Sequence, residues 1–309
     1  IPSFRLEKNI VEAEIDVLRQ LGVDFRTGVE VGKDVMINSL RLLGYKAFYI
    51  AIGAQNGRSL NVEGEELEGV ISGVDFLRDI SLGRVDKLSG NVAIDVARSA
   101  IRVGAQPTDM YCLESSAEMP ALDEEKEEAA GEGIMINNSW GPKRILGEDG
   151  KVVGVEFMRC LSVFDENHHF APKYDKNNTM IVPCSNVLVS IGQSIEWGRL
   201  LKGSKAKLTR RGTLEVAEIS YQTGEPDVFA GGDAISGPKF AIDAIASGKS
   251  GAISIHRYIR GRGLTIRRER EYKMLDKEKA DFSSFDTMSR QRPLKVNHSS
   301  AKNTFKDMR

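Results

Sequence analysis

The sequence predicts an α/β protein of about two domains, each resting on short strands that end in glycine. Three observations predict it. Ala47 to Ile52 reads as a strand leaving through Ala51-Ile-Gly-Ala54, Val187-Leu-Val-Ser-Ile-Gly192 is a buried strand with a second glycine exit, and Val228 to Ala230 runs into Gly231 and Gly232. Such strand ends are where doubly wound sheets meet their ligands, because glycine lets the backbone approach without a Cβ in the way. Helical segments with amphipathic or small-residue faces alternate with these strands. The length, 309 residues, suits about two domains at roughly 100–200 residues each.

Taken in order, the first element is a helix over Ile10–Leu21, with Val11, Ile15, Leu18 and Leu21 on one face and Gly22 as its stop. Short strands are expected at Val23 to Phe25 and Ala47 to Ile52, the second with Gln55 and Gly57 behind its exit. A helix from Gly73 to Ile80 leads to the junction Leu82-Gly-Arg-Val-Asp-Lys-Leu-Ser-Gly90, and a helix with one small-residue face covers Asn91 to Arg102. Asp109 to Leu113 reads as a strand, and Asp123 to Ala130 as an acidic helix ended by Gly131 and Gly133. Val152 to Arg159 and Ser162 to Phe164 suggest hairpins; the last helix spans Phe240 to Ile259 and ends at Gly261-Arg-Gly263. From Ile266 to Arg309 the chain is highly charged with almost no apolar periodicity, which reads as a solvated or partner-wrapping extension.

Composition narrows the class. A net charge of −1 gives no electrostatic case for nucleic acid or an anionic membrane. No apolar run approaches the roughly 20 residues that span a bilayer, so no membrane insertion is expected. The chain starts at Ile1-Pro2 with no initiator Met and no basic n-region, which reads as a cleavage point or the edge of a fragment. Cys112, Cys160 and Cys184 form no CxxC pair, which excludes a local redox disulfide and a sequence-local iron–sulfur or zinc set and favours a reducing cytoplasm. His168, His169, His256 and His298 show no ligand spacing; His168-His169 is expected in a solvated hairpin turn.

The chemistry concentrates in Thr223-Gly-Glu-Pro-Asp-Val-Phe-Ala-Gly-Gly-Asp-Ala234 and the following Gly237-Pro-Lys-Phe-Ala241. Asp233 can accept hydrogen bonds from a polyol or sugar hydroxyl. A helix starting near Pro238 aims free N–H groups at an electron-rich ring edge or an anion. This string resembles the flavin-binding element of flavoproteins with two dinucleotide-binding domains, in particular the small (beta) subunit of glutamate synthase and its homologues. The resemblance implies that Asp233 holds the flavin ribityl chain, with Gly232 beside it. The helix begun by Lys239, Phe240 and Ala241 would face the pyrimidine end of the isoalloxazine. Ile1-Pro-Ser-Phe-Arg-Leu6 is similar to the family's GIPxFRLP segment near the isoalloxazine, with Glu7 where proline is usual, and so implies Ile1, Pro2 and Arg5 at the FAD. Ala51, Ile52, Gly53 and Ala54 complete the implied FAD set.

The same resemblance implies a nicotinamide site. Gly90, Asn91, Val92 and Ala93 match the second half of the family's strand–Gly-Gly-Gly-Asn-Val-Ala–helix fingerprint, where glycine admits a pyrophosphate and the helix start binds its oxygens. Asp86-Lys-Leu-Ser89 stands where an apolar strand and two glycines belong. Either that strand is omitted or the site is crippled, and the abrupt join between intact flanks favours omission. Ile191, Gly192 and Gln193 are also assigned to NAD(P). NADPH-using relatives place two arginines shortly before Glu-Met-Pro-Ala; here Leu113 and Glu114 stand there. Glu114 would accept from the ribose 2′-OH and repel a 2′-phosphate by on the order of 1 kcal/mol or more, so NADH is favoured over NADPH. The alternative makes Glu114 a surface residue and gives the phosphate to Arg98 or Arg102.

Residues 1 to about 263 are covered by the resemblance, the C-terminal two-thirds of a family member. Absent are the N-terminal third with its FAD-binding GxGxxG strand and its iron–sulfur segment, so such a chain contacts the flavin ring and ribityl without anchoring the ADP moiety. The implied fold has two Rossmann-like, three-layer domains, the nicotinamide domain inserted into the FAD domain: 1–83 and 196–264 for FAD, 84–195 for NAD(P)H, and 265–309 as the extension. The implied activity is hydride transfer between NADH (or NADPH) and FAD, with electrons relayed to iron–sulfur clusters or a second flavin, on the family's N-terminal segment or on a larger partner subunit. Candidate partners are a glutamate synthase large subunit, a hydrogenase or dehydrogenase module, or a bifurcating complex. No acid, base or cysteine pair is required. The rival readings are a non-catalytic structural subunit that kept the fold, and a flavin-free dehydrogenase that leaves Ala230-Gly-Gly-Asp233 unexplained.

Overall fold

Three pairs of short parallel strands and one antiparallel sheet organise the chain. The computed structural model describes residues 1–84, 94–105, 107–268, 279, 281, 283, 288, 289, 301, 304 and 305. In order the elements are α1 (Lys8–Gln20), α2 (Ile37–Leu42), β1 (Phe48–Ile50), β2 (Asn56–Gly57), β3 (Val70–Ser72), α3 (Gly73–Ser81), α4 (Ile94–Arg102) and β4 (Asp109–Cys112). There follow α5 (Asp123–Gly131), β5 (Met135–Asn138), β6 (Trp140–Glu148), β7 (Lys151–Phe164), β8 (Phe170–Pro183), β9 (Val187–Val189), β10 (Gln193–Ser194), β11 (Val228–Ala230), α6 (Asp233–Ser236) and α7 (Ala241–Ile259). This is an α/β chain. It divides into two compact units, one holding Ile1–Phe25, Asn56–Gln193 and the described residues 301, 304 and 305, the other Arg26–Gln55 and the described residues of Ser194–Pro293. The stretch 1–83, read above as one segment, is thus shared between the units.

In the first unit β3 pairs in parallel with β9, and β4 with β5, while β6, β7 and β8 form an antiparallel sheet. Helix α4 is buried on two sides, which its alanines permit. Val96 and Ala100 pack with Phe76 and Leu188, and Ile94, Ala97 and Ile101 pack with Met110, Ala129 and Ile134. Among the described residues no strand joins the two parallel pairs. Ile145, Val152, Val155 and Phe157 make a further core on the antiparallel sheet, where the Tyr111 and Phe157 rings stack at 4.3 Å. Burying side chains of this kind stabilises by roughly 1.5–3 kcal/mol each.

In the second unit β1 and β11 pair in parallel, with Ile50 opposite Ala230. Their inner residues Ile50, Val228 and Ala230 pack with Leu214, Trp197, Leu200 and Leu201. Arg41 ties α2 to the start of β11. Its guanidinium donates to both Asp227 oxygens at 2.7 Å and to Glu225 at 3.2 Å.

Several sequence expectations change. Val23 to Phe25 is not a strand: after Gly22 turns the chain at φ +87°, Val23 and Phe25 stay exposed with no ladder partner. The apolar face expected of α1 covers no core, since no α1 residue is buried. The hairpin segment is one 14-residue strand, Lys151–Phe164, paired with an equally long Phe170–Pro183. That partner escaped detection because its polar run Lys173 to Asn178 hides any period of two. The turn between them is polar as expected: Asp165 Oδ1 accepts from the N–H groups of Asn167 and His169, each at 2.9 Å. The long helix starts at Ala241 rather than Pro238, because Phe240 holds extended backbone and Gly237 turns at φ +73°.

Candidate functional site

Parallel pairing brings strand ends together, and each unit has its own group of such ends. In the second unit the register of β1 and β11 makes Ala51 and Gly231 leave the sheet side by side, and the Gly231 N–H donates to the Ile50 carbonyl at 3.1 Å. The predicted residues Ala51, Ile52, Gly53 and Ala54 therefore adjoin Gly232 and Asp233. Gly232 adopts φ +63°, ψ −151°, a region essentially reserved for glycine. Its N–H donates to Ser247 Oγ at 2.8 Å, and that hydroxyl donates to the Ala244 carbonyl at 2.8 Å.

Asp233 is half-buried, and its Oδ1 accepts from the Lys239 N–H at 3.2 Å. Its second oxygen suits a hydroxyl donor such as a ribityl chain, so the residues present fit the ring-and-ribityl portion of a flavin. Phe240 and Ala241 open α7 exposed, while Ala54 is buried and offers backbone alone. Beneath the turn lies Tyr49. A Cβ on Gly231 or Gly251 would overlap its ring or hydroxyl. The Tyr49 hydroxyl is buried beside Ser247, and burial pushes its pKa up against the opposing effect of that neighbour. Sequence reasoning missed Tyr49 and Ser247; the signal was the small-residue spacing Ser247, Gly251, Ser254 on the buried face of α7.

The first unit presents two further strand-end groups. Beyond β3 and β9, Gly73 lies so close to Ser190 Oγ that a Cβ would overlap it. Gly192, at φ +110°, accepts at its carbonyl from the Arg58 N–H at 3.1 Å, and the Gln193 carbonyl accepts from Arg58 Nε at 3.3 Å. Ile191, Gly192 and Gln193 thus sit at a carboxyl strand edge. Beyond β4 and β5, Glu114 leaves the sheet next to Ser139. The Glu114 carbonyl accepts from the Ser139 N–H at 3.0 Å and from Asn138 Nδ2 at 3.2 Å. One helical turn follows, closed by the Met119 N–H on the Ser115 carbonyl at 3.0 Å and by Ser115 Oγ donating to Glu118 at 2.6 Å. The hydroxyl and the N–H of Ser115, the latter at 3.3 Å, both donate to the Glu118 carboxyl and hold it below its ordinary pKa. Asn138 and Ser139 were not anticipated, because no strand was assigned at Met135–Asn138.

Gly90, Asn91, Val92 and Ala93 lie outside the described residues, as does Asp86-Lys-Leu-Ser89. Ile1, Pro2 and Arg5 belong to the first unit, where Arg5 meets α4 and α5. Arg5 pairs with Asp95 at 2.5 Å and with Glu125 at 3.0 Å. Phe4 is buried between Arg98 and Arg102, whose guanidinium carbons lie 4.9 and 4.1 Å from its ring centre. Arg98 and Arg102, the alternative ligands of a ribose phosphate, are both buried on Glu132, Arg98 also reaching Glu128 at 2.6 Å. Among the described residues no group of three or more His, Cys, Asp or Glu is placed to hold a metal, and no helix is long and apolar enough to cross a membrane.

The family described as pyridine nucleotide-disulphide oxidoreductase matches residues 7–248. The beta subunit of the NADP(+)-dependent formate dehydrogenase of Moorella thermoacetica is 34% identical over 272 residues, which is 84% of this chain and 38% of that protein. The small chain of glutamate synthase [NADPH] from Escherichia coli strain K12 is 27% identical over 286 residues, 84% of this chain and 60% of that protein. The chain therefore spans less than two-thirds of these relatives' length. In fold it resembles Mycobacterium tuberculosis FprA in complex with NADPH, at a TM-score of 0.66 and 18% identity over 82% of this chain and 73% of that one.

Proposed function

From a chain that belongs to the pyridine nucleotide-disulphide oxidoreductase family, we propose an FAD-dependent NAD(P)H oxidoreductase subunit that favours NADH. The observation that carries the reading is the exit of β1 and β11 side by side, which gathers Gly53, Gly232 and Asp233 into one turn. A bound flavin supplies the chemistry, accepting hydride from the nicotinamide. The chain's own residues orient and shield. Gly232, locked by Ser247, lets backbone approach the ligand; Asp233 accepts from its hydroxyls; Lys239 and Phe240, which lead into α7, and Ala241, its first residue, face the ring edge. Residues 26–55 and 196–264 carry the flavin contacts in this reading, and 84–195 the nicotinamide contacts.

Glu114 selects the nicotinamide by accepting from a ribose 2′-hydroxyl and repelling a 2′-phosphate. The relatives named above carry NADP(+) or NADPH in their names, so this preference sets the chain apart from them. With no cysteine pair to reduce, electrons pass to iron–sulfur clusters or a second flavin on a larger subunit. Relatives named as beta subunits or small chains support such a partner.

Anaerobic addition of NADH and NADPH to the protein purified from its natural complex tests this. Bleaching of the visible flavin band, faster with NADH, is expected. Bleaching by NADPH alone would remove the role of Glu114, and a protein without flavin would remove the oxidoreductase reading.

A further inference from the structure

We infer that Asn138, with the left-handed Ser139 behind it, is a specificity-determining positioning residue that holds Glu114 at the 2′ position of an adenosine ribose. The inference rests on the reading of Glu114 as the ribose ligand and names the device that makes it selective.

Parallel pairing ends at Cys112 opposite Asn138, so Ser139 is the first residue beyond its strand and Glu114 the second beyond its own. The Glu114 carbonyl receives two N–H groups, from Ser139 at 3.0 Å and from the Asn138 side chain at 3.2 Å. The same amide nitrogen lies 3.2 Å from Cys112 Sγ and 3.9 Å from Met119 Sδ. One side chain therefore touches the start, the middle and the end of the loop that carries Glu114.

Ser139 holds φ +63°, where side-chain-bearing residues are uncommon and persist when their surroundings over-determine them. Its surroundings do so. Its N–H goes to Glu114, and its carbonyl accepts from the Cys160 N–H at 2.8 Å. The brace continues into the antiparallel sheet, where Arg159 donates to the Asn138 carbonyl at 3.4 Å and lies 5.3 Å over the Trp140 ring.

The clamp acts on selectivity through distance. Discrimination by charge weakens as the carboxylate moves away and is screened by water, so a glutamate on a loose loop would accept a ribose hydroxyl yet reject a phosphate poorly. Holding the Glu114 backbone at two donors fixes where its carboxylate can reach.

The test uses the full chain and two probes that transfer no hydride, ADP-ribose and 2′-phospho-ADP-ribose, with Kd measured by calorimetry. The wild type should bind ADP-ribose at least tenfold more tightly. Asn138→Ala should cut that ratio at least threefold, and so should Asn138→Ser, which keeps a polar group too short to reach Glu114. Asn137→Ala, on the same strand with its amide on the Met110 carbonyl at 3.4 Å, should leave the ratio unchanged. An unchanged ratio in a folded Asn138 variant, beside a ratio that collapses in Glu114→Gln, overturns the clamp alone. A ratio unmoved by Glu114→Gln, or a wild type that binds neither probe, overturns the underlying reading.

Discussion

Replacing Glu132 by glutamine isolates the energetics of the buried charges beneath Phe4. The Glu132 carboxylate accepts four hydrogen bonds: from Arg98 Nε at 3.0 Å and Nη2 at 2.7 Å, and from Arg102 Nη1 at 2.6 Å and Nη2 at 3.0 Å. All three side chains are at most 1% exposed. Glutamine keeps the shape, removes the charge and turns one acceptor into a donor aimed at a guanidinium. Glu128 and the Phe4 ring then face two buried cations. Leaving buried charge uncompensated costs about 3–5 kcal/mol, against a total native stability of roughly 5–15 kcal/mol. Urea unfolding followed by circular dichroism should show a loss in that range at neutral pH, with the slope against denaturant unchanged.

The same cluster fixes the sign of a pH effect. Burial pushes the Glu132 carboxyl up, but hydrogen bonds and charge from Arg102 and Arg98 outweigh it and hold the carboxyl below its ordinary range. A depressed carboxylate contributes its full stability above the unfolded value, about 4.3 for glutamate, and loses it as pH falls through the lower folded value. The gap between wild type and Glu132→Gln should thus stay constant between about pH 5.5 and 8 and close in stronger acid. A neutral-pH gap under about 1 kcal/mol, or one that persists unchanged into strong acid, would show that water screens the cluster and refute the reasoning.

Three further outcomes follow from the second unit. Gly251→Ala gains up to about 1 kcal/mol in helix propensity but drives a methyl into the Tyr49 ring, so a net loss of about 1–2 kcal/mol is expected; thermal melts of this variant combined with Tyr49→Leu should show favourable coupling, and additive effects would count against the contact. Gly232→Ala forces a side chain into φ +63°, ψ −151°, with a cost of about 1–3 kcal/mol and a matching drop in flavin retention, read by absorbance after gel filtration. Arg41→Lys should not replace the two-pronged contact to Asp227. Because the Arg41 hydrogen bond holds the Asp227 carboxyl below its ordinary pKa, the Arg41→Lys deficit in urea midpoint should shrink as pH falls below about 4.

What was legible in the sequence is what local chemistry encodes. Gly53, Gly192 and Gly232 stand at strand ends because positive φ is needed there, and a strand running into such a glycine is visible within six residues. The acidic helix over Asp123 and the helix ending at Arg102, with its one small-residue face, were legible for the same reason, as periodicity in one segment. Strand β8 was not, because its order comes from β7 across a hairpin while its own residues are mostly polar. Asn138 was not, because its role exists only in the register that sets it beside Cys112, 26 residues earlier.

Arg98 shows why residue type alone could not assign the charged positions. In sequence it lies eight residues beyond Gly90, on the helix after the fingerprint glycine, where a cation is a reasonable phosphate ligand. Glu132, 34 residues later, takes it out of contention: Nε and Nη2 both donate to that carboxylate, and the side chain is 1% exposed. A guanidinium so paired has little left to offer a 2′-phosphate, and moving it outward would strand Glu132 in the core. Glu114 is the opposite case. Its backbone is clamped by Asn138 and Ser139, and no cation is found on its carboxylate among the described contacts. Which charges line this edge therefore follows from what folding buries, the two arginines on Glu132, as much as from what the sequence contains.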